Sequence, residues 1–352
     1  MAFDIWSFRV VSPSIDLLKG VIIMKKLVAL FLVLIMGLAI LSGCSGSSTS
    51  QSETPQKKVY KIGIVQPMDH PSLNEIRETI ISELKAPGMG DKVEIITKNA
   101  NGDMNLLPSI MQELINSKVD MIVPIATPAA QAARASTKTV PIVFSAVSNP
   151  VEAGLVTSFS ETTGNITGVS NSIPVEDIFK LAAQVTPNVK TFGFVYNSSE
   201  INSTSGIKRA KAYCDQNGIK YKEATITGTA DLQQSASSLV GQVDAFFTPN
   251  DNTVASAMAT YVKVATDAKL PIYAGADSMV KDGALATVGI DYVKLGKQTA
   301  AMVIRIVNGQ TVKDNHVEQV AEYANMININ TADKLGISIS DELKQKFVIL
   351  GK

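Results

Sequence analysis

The sequence predicts an α/β fold of two doubly wound parallel-sheet lobes, and three observations support this class. First, short apolar runs typical of buried strands alternate with segments in which apolar residues recur at helical spacing. Alternation of strands with helices of about 10–15 residues is typical of parallel βαβ units. Second, residues 154–168, which are rich in Thr, Ser and Gly, divide the alternation into two runs. Third, a chain of 352 residues suits two domains of roughly 150 residues each.

The first run begins with a buried-strand pattern at 59–66 (VYKIGIVQ). The segment that follows has Leu73, Ile76 and Ile80 at helical spacing, which predicts a helix over 72–84. The same two patterns predict the other elements of this run, in order: strand 93–97, helix 106–117, strand 121–126, helix 128–138 and strand 142–146. In the second run they predict, in order: strand 166–170, helix 175–185, strand 191–196, helix 201–217, strand 221–225, helix 232–239, strand 245–248, helix 254–268, strand 272–274, strand 284–290 and helix 293–308.

The composition excludes several classes of function. The 32 Lys and Arg residues balance the 32 Asp and Glu residues, whereas a general nucleic-acid binder would have a basic excess. Two cysteines and two histidines are too few for a disulfide scaffold or a multi-histidine metal centre. The sequence also lacks the G-x-G-x-x-G, H-E-x-x-H and G-x-S-x-G motifs. We therefore expect no catalysis, no metal, no cofactor and no nucleic-acid partner.

The N-terminal region has the pattern of an export signal. A basic start at Met24-Lys25-Lys26 precedes an apolar stretch over 27–41, which is shorter than the roughly 20 residues of a membrane span. The sequence LSGC at 41–44 looks like a lipobox, in which Cys44 is lipidated and becomes the first mature residue. We therefore expect a signal-peptide region at 1–43, a lipidated Cys44, and a flexible Ser-rich tether in the remainder of 44–58. The alternative is a buried Cys44 at the end of an uncleaved membrane anchor.

Residues 1–23 do not fit a signal peptide, because they form a mixed segment that contains Asp4 and Asp16. Our hypothesis is that translation starts at Met24. Detection of a peptide from residues 1–19 in the unprocessed precursor would overturn it.

Polar and small residues cluster directly after the predicted strands. In open α/β sheets, ligands bind outside the carboxyl ends of the strands, so these residues are candidates for a ligand site. The candidates are Gln66, His70, Thr127, Ala129, Ala130, Ser145, Ala146, Tyr196, Asn197, Asn250, Asp251, Asp277, Asp291 and Tyr292. His70 has an equally good interpretation as a turn or cap residue before a helix.

The Thr127-Pro128 pair predicts the start of a helix whose N-terminus could bind an anion. A Thr hydroxyl caps a helix, and Pro at the first helical position needs no N–H. Ala129 and Ala130 would leave their backbone N–H groups uncovered, which suits a carboxylate. The alternative is a plain cap in contact with water.

Several stretches resemble one family, the substrate-binding lipoproteins of bacterial ABC transporters, in the branch for tryptophan or tyrosine uptake. The similar stretches are 63–66 (GIVQ) with His70-Pro71, 99–103 (NANGD), 125–132 (IATPAAQA), 141–147 (PIVFSAV), 165–170 (NITGVS), 196–203 (YNSSEINS), 251–254 (DNTV), 283–292 (GALATVGIDY) and 326–339 (MININTADKLGISI). The similarity runs from about Val59 to the C-terminus and is more specific for the family than for the ligand.

The resemblance implies the type I periplasmic-binding fold, in which two lobes are joined by a hinge of three crossings. Lobe one would then comprise 59–165 plus 287–314, and lobe two 166–286 plus 315–352. The ligand would bind between the lobes, which would close around it.

The resemblance also implies a monomeric receptor, lipid-anchored on the extracytoplasmic face of the cell membrane, that captures an aromatic amino acid for an ABC permease and its ATPase. We expect the ligand carboxylate at Thr127, Ala129, Ser145 and Ala146. We expect the ammonium at Asp277 or Asp291, with Asp251 as a weaker candidate, although Asp291 could instead cap a helix and Asp277 hold a turn. The residues expected to line the side-chain end are Gln66, Tyr196, Asn197, Asn250 and Tyr292. The alternatives are another amino acid, a nucleoside or a sugar as ligand, or a role as a surface adhesin or signalling receptor.

Overall fold

The fold is described by a computed structural model that covers residues 58–162, 164–320 and 322–351. The predictions for the signal peptide, for Cys44 and for the tether up to residue 57 lie outside the described residues. None of the helices in the described part of the chain has both the length and the apolar character that a membrane span requires.

Thirteen strands are found in the described ranges, and their positions follow the predicted apolar runs. In chain order they are β1 (Tyr60–Gln66), β2 (Val93–Asn99), β3 (Met121–Pro124), β4 (Ile142–Ser145), β5 (Ile166–Ser170), β6 (Thr191–Asn197), β7 (Lys220–Ile226), β8 (Ala245–Thr248), β9 (Ile272–Ala274), β10 (Ala286–Ile290), β11 (Glu318–Gln319), β12 (Tyr323–Asn328) and β13 (Val348–Leu350). The central strands β3, β4, β5, β8, β9 and β10 are buried along their whole length. Burial on both faces explains why these strands appear in the sequence as continuous apolar runs.

Twelve α-helices connect these strands within the described ranges. They are α1 (Pro71–Leu84), α2 (Leu107–Asn116), α3 (Thr127–Ser136), α4 (Val175–Val185), α5 (Ile201–Asn217), α6 (Leu232–Leu239), α7 (Asn252–Ser256), α8 (Met258–Asp267), α9 (Asp277–Lys281), α10 (Tyr292–Val307), α11 (Ile329–Leu335) and α12 (Asp341–Lys346). The single helix predicted over 254–268 is two helices, α7 and α8, because Ala257 leaves the helical conformation between them.

The strands form two sheets, which confirms the predicted fold class. The first has the order β11-β5-β4-β3-β1-β2, and all its pairs are parallel. The second has the order β13-β12-β10-β9-β8-β6-β7. Its one antiparallel pair joins β12 to β10. The sequence analysis did not predict β12, because the strand follows helix α10 in a segment without a clear strand pattern.

The sheet pairings differ from the lobe boundaries expected at 165/166, 286/287 and 314/315. Strand β5 pairs with β4 in the first sheet rather than starting the second lobe, and β10 lies in the second sheet. Gly168 permits the tight approach of β5, since a Cβ at this position would lie 2.2 Å from the carbonyl oxygen of Phe144. Strand β11 also joins the first sheet, through β5. We therefore propose that the chain crosses between the lobes at 171–174, at Asp291 and near residue 320.

Helix α10 returns the chain to the first lobe and packs against α1. Gly296 makes this contact possible, because a Cβ there would lie 2.7 Å from the Cβ of Thr79. Cys214, on α5, is a free and buried thiol. Burial raises its pKa to about 12.

Candidate ligand-binding site

An enclosed cavity lies between the two lobes, where the carboxyl ends of strands from both sheets meet. Its volume is about 10 Å³, which is room for about one water molecule. The first lobe contributes residues from the start of α1 and from the ends of β4 and β5, together with the first residue of α10. The lining residues are His70, Ser72, Leu73, Ala146, Ser148, Asn171, Asn202, Asn250, Asp251, Asn252, Ala255, Ala276, Met279 and Tyr292.

Three hydrogen bonds between lining residues or their neighbours join the two lobes across this cavity. Asn250 of the second lobe donates through Nδ2 to the hydroxyl of Ser148 at 2.8 Å. Nε2 of His70 lies 3.3 Å from Oδ1 of Asn252. The hydroxyls of Ser72 and Ser278 are 2.5 Å apart. The lobes are therefore in direct contact, and any solute of amino-acid size reaches the cavity only when they separate.

Three buried polar atoms of the cavity have no hydrogen-bond partner among the described residues: Nδ1 of His70, Oδ1 of Asn202 and Oδ1 of Asn250. The Nδ2 of Asn202 donates to Glu200 Oε2 at 2.8 Å and to the Asn250 carbonyl at 3.1 Å, so Oδ1 is the end without a partner. The Nδ2 of Asn250 donates to Ser148 and to the carbonyl of Asn171. Because an unpaired buried acceptor is costly, both amide oxygens favour a ligand that donates hydrogen bonds.

The N-terminus of α1 supplies donors to the same cavity. The 14-residue helix begins at Pro71, and His70 at the N-cap position makes no side-chain capping bond to any described residue. Ser72 and Leu73 line the cavity, and their backbone N–H groups belong to the first turn, which has no intrahelical acceptor. The positive end of the helix favours an anionic group. Residues that could supply donors and residues that supply acceptors therefore line the same cavity.

A buried carboxylate behind the cavity organises the polar side chains of the second lobe. Glu200 accepts through Oε2 from the side-chain amides of Asn202 and Asn252, at 2.8 Å and 2.5 Å. Its Oε1 accepts from the backbone and hydroxyl of Thr253 at 3.0 Å and 2.7 Å. These donors satisfy Glu200, so its role is to orient neighbouring groups rather than to contact a ligand.

Asp251 caps α7 beside this carboxylate. It accepts from the backbone N–H groups of Val254 at 2.8 Å and Asn197 at 2.6 Å. Burial, followed by the nearby charge of Glu200, raises the pKa of Asp251 to about 7. Among the cavity residues, burial also lowers the pKa of His70 to about 4, so its imidazole is neutral at physiological pH.

Five of the residues predicted from the sequence line the enclosed cavity: His70, Ala146, Asn250, Asp251 and Tyr292. Ala146 has a φ of 58°, a conformation that non-glycine residues adopt mostly under constraint and often at binding sites. Asn197 lies outside the cavity, in a larger cleft of about 700 Å³ that both lobes line. Its side chain donates to Thr253 at 2.8 Å.

The predicted carboxylate site on α3 is not part of the cavity. Ala126, with a φ of 71°, occupies the N-cap position that we predicted for Thr127, and the Thr127 hydroxyl has no partner in the described part of the chain. Ala129 and Ala130 are fully buried in the core of the first lobe. The start of α3 instead lies at the larger cleft of about 700 Å³, which Pro128 and Gln131 line.

Three further predicted residues make hydrogen bonds to other residues of the protein rather than lining the cavity. Ser145 bonds to the hydroxyl of Thr299 on α10 at 2.8 Å. Gln66 donates to the Met68 carbonyl and accepts from Arg77, both at 2.9 Å, and so stabilises the turn before α1. Tyr196 donates to Glu223 on β7 at 2.9 Å and therefore points away from the cavity.

The two acids predicted to hold an ammonium group lie in a separate groove beside α1 and β12. Asp277 is already paired with Lys281, at 2.6 Å. Asp291 caps α10 by accepting from the Lys294 backbone N–H at 3.0 Å. The alternative considered for Asp291, a helix cap, therefore matches its contact, whereas Asp277 forms an ion pair within α9 rather than holding a turn.

Sequence reasoning missed Ser72, Asn171, Asn202 and Asn252 as cavity residues. Asn252 is the first residue of α7, Asn202 is the second residue of α5, and Asn171 directly follows β5. The strand-end rule covers these positions, and a search for amide side chains there would have found them.

Comparison with known proteins gives consistent matches over nearly the whole described chain. The family model described as ABC transporter substrate binding protein matches residues 61–347. A protein of Clostridioides difficile named tyrosine-binding protein is 36% identical over 318 residues, which cover 88% of this chain and 92% of that protein.

Two solved structures have similar sequence identity to this chain but different TM-scores. A Streptococcus ABC domain in complex with L-Trp is 34% identical and has a TM-score of 0.81, covering 84% of this chain and 100% of its own. The ligand-free, open structure of a Clostridium difficile substrate-binding protein with adhesive properties is 36% identical but has a TM-score of 0.65 at the same coverage. The lower score with the open structure agrees with the direct contacts between the lobes in this chain.

Proposed function

The chain belongs to the ABC transporter substrate-binding protein family, and from that premise we propose that it binds an aromatic amino acid, tyrosine or tryptophan, between its lobes. The three buried polar atoms that have no partner among the described residues carry this proposal. A free amino acid is a zwitterion, and a buried charge is costly unless it is paired or hydrogen-bonded. An ammonium group has three N–H donors and suits the acceptors that His70, Asn202 and Asn250 offer.

The carboxylate of the same ligand would bind at the N-terminus of α1. Ser72 and Leu73 line the cavity, and their backbone N–H groups lack intrahelical acceptors because they lie in the first turn of α1. An anion at a helix N-terminus gains roughly 0.3–1 kcal/mol from the helix dipole, and more when partly buried. This assignment replaces α3 with α1, and it needs no positively charged side chain.

The aromatic ring would occupy the apolar side of the cavity. The apolar lining residues are Leu73, Ala255, Ala276 and Met279, and Tyr292 adds an aromatic ring. The cavity of about 10 Å³ must widen to hold a ring, to which methionine and tyrosine offer polarizable contacts. A sugar requires hydrogen-bond partners for many hydroxyl groups. The apolar lining residues and the three acceptors do not provide such a set.

The proposal extends to cellular location and partners. Cys44 would carry the lipid that holds the protein on the extracytoplasmic face of the membrane, with residues 45–58 as the tether. Two acyl chains provide stable anchoring, because each buried CH₂ contributes roughly 0.8 kcal/mol. The bound amino acid would then pass to an ABC permease driven by its ATPase, and the protein itself would carry out no chemical reaction.

A thermal-shift screen of the 20 amino acids, nucleosides and sugars tests the ligand. A specific ligand at about 100 times its Kd should stabilise the protein by roughly 2.7 kcal/mol. We expect shifts with tyrosine or tryptophan, and with few other compounds. Shifts from a nucleoside or sugar alone would overturn the choice of ligand.

A second candidate function, adhesion, is favoured by the relative with adhesive properties. Uptake of labelled tyrosine and tryptophan by cells that lack this gene separates the two functions. Reduced uptake supports transport. Normal uptake together with reduced attachment to surfaces would favour an adhesin.

A further inference from the structure

A chain of hydrogen bonds runs from Glu200 in the second lobe, through Asn252, to His70 in the first lobe. Asn252 donates through Nδ2 to Glu200 Oε2 at 2.5 Å, and its Oδ1 lies 3.3 Å from His70 Nε2. All three residues are buried, with 5%, 7% and 6% of their surface exposed. This hydrogen-bond chain lies between the enclosed cavity and the larger cleft. His70 and Asn252 line the enclosed cavity, whereas Glu200 lines the larger cleft.

The direction of each bond in this chain follows from chemistry. Glu200 accepts five hydrogen bonds, two of them from backbone N–H groups that cannot reverse. An ionised carboxylate is an acceptor only, so the end of Asn252 that faces it is the amide nitrogen. The oxygen of Asn252 therefore faces His70, and His70 Nε2 must carry a proton to donate to it.

The direction of these hydrogen bonds determines which ring nitrogen of His70 is protonated. A neutral imidazole has one N–H and one bare nitrogen, so protonation at Nε2 leaves Nδ1 as an acceptor. Nδ1 is the buried atom that has no partner among the described residues. We propose that Glu200 and Asn252 are positioning residues that hold His70 in the Nε2–H tautomer, so that Nδ1 accepts a hydrogen bond from a cationic nitrogen of the ligand.

The inference rests on the proposed function only for the identity of that nitrogen, the ammonium group of an amino acid. Because Asn252 and Glu200 belong to one lobe and His70 to the other, the tautomer is selected only when the lobes meet. The acceptor is thereby prepared as the cavity closes. Discrimination against ligands without an ammonium group follows, since a buried acceptor without a donor weakens their binding.

The wild-type protein gives the first test, by nitrogen NMR of the ¹⁵N-labelled histidine rings. The chain has two histidines, and the exposed His316 serves as the internal reference. We expect the His70 ring nitrogens to show a protonated Nε2 and a bare Nδ1. A protonated Nδ1 in the closed, ligand-bound protein would overturn the inference, whichever solute binds.

The second test is Glu200→Gln, in which one carboxylate oxygen becomes an amide nitrogen. A donor facing Asn252 would reverse the Asn252 side chain and so favour the Nδ1–H tautomer of His70. We expect the preference for tyrosine over desamino-tyrosine to shrink by about tenfold or more, together with a changed His70 spectrum. Glu223→Gln, on the surface of the same lobe, is the matched control and should change neither.

The outcomes separate the inference from the proposed function. If the wild-type protein binds neither tyrosine nor tryptophan, the proposed function fails, and the His70 spectrum still decides the tautomer. If Glu200→Gln weakens tyrosine and desamino-tyrosine equally and leaves the His70 spectrum unchanged, Glu200 has a structural role only and the inference is wrong. For a Glu200→Gln protein that does not fold, Asn252→Ala provides the same comparison.

Discussion

Asn250 in the second lobe donates its amide to the hydroxyl of Ser148 in the first lobe across 2.8 Å, while its own amide oxygen faces the cavity without a partner among the described residues. One side chain thus joins the lobes and offers an acceptor to the ligand. Such a residue contributes to closure and to recognition together, which makes it the most direct probe of the site.

We predict that Asn250→Ala weakens binding of the cognate amino acid by about tenfold to a hundredfold. The reason is that a hydrogen bond to a charged group contributes roughly 1.5–3 kcal/mol. Isothermal titration calorimetry measures the change, and Asn217→Ala, at the exposed end of α5, is the control. An affinity within about twofold of wild type would exclude Asn250 from the site.

We predict that Asp277→Asn and Asp291→Asn each leave the affinity within about fivefold of wild type. Asp277 is paired with Lys281 and Asp291 caps α10, so neither carboxylate is available to an ammonium group. Calorimetric titration of both variants tests this. A loss of about a hundredfold in either one would restore that acid as the ammonium partner, because removing one member of a buried charged pair costs about 3–5 kcal/mol.

The fold could be predicted from the sequence because its central strands are buried on both faces and its helices on one. Those two environments produce the continuous and the periodic apolar patterns. Strands β12 and β13 lie at one edge of the second sheet, where burial is partial, and they leave only a weak pattern. The lobe boundaries depended on the partner of β5, and pairing between strands is not encoded by periodicity.

The site was predictable in its location but not in its roles. The strand-end rule identified Ala146, Asn250 and Asp251, because sheet topology alone brings these positions together. It could not decide between the N-termini of α1 and α3, since that choice depends on how each helix packs within its lobe. It also could not show that Lys281 pairs with Asp277 within one turn of α9. This ion pair competes with any ligand for the Asp277 carboxylate.

A stability prediction concerns the contact that places β5 in the first sheet. Gly168→Ala should lower the free energy of unfolding by about 1–3 kcal/mol, because the new Cβ would overlap the carbonyl oxygen of Phe144. Gly228→Ala is the matched control, since its backbone is extended and open space surrounds it in the described structure. Urea denaturation compares the two, and equal stabilities would contradict the tight approach of β5 to β4.

The lipid anchor gives a prediction for cells. Cys44→Ala should abolish acylation and release the protein from the membrane fraction, because the LSGC sequence directly follows an apolar run. Fractionation followed by a carbonate wash is the measurement. A variant that stays in the membrane after the wash would indicate an uncleaved anchor.

The stability of the protein should depend on pH through His70. Burial lowers its pKa to about 4 from an ordinary value of 6.5. The folded protein therefore stays neutral at this position while the unfolded chain takes up a proton. The stability that His70 contributes is fully present above pH 6.5 and is lost as the pH falls through 6.5 toward 4. At pH 5 the loss from this group is about 2 kcal/mol.

Asp251 acts in the opposite direction, so a single stability curve does not isolate His70. The pKa of Asp251 is raised to about 7, and its contribution is present at low pH and lost as the pH rises through 7. Comparing wild type with His70→Gln removes this shared background. We expect the wild-type protein to lose about 2 kcal/mol more than His70→Gln between pH 7 and pH 5, measured by urea denaturation. Parallel losses in the two proteins would mean that His70 is hydrated and titrates normally, and a normally titrating imidazole would not serve as a neutral acceptor between closed lobes.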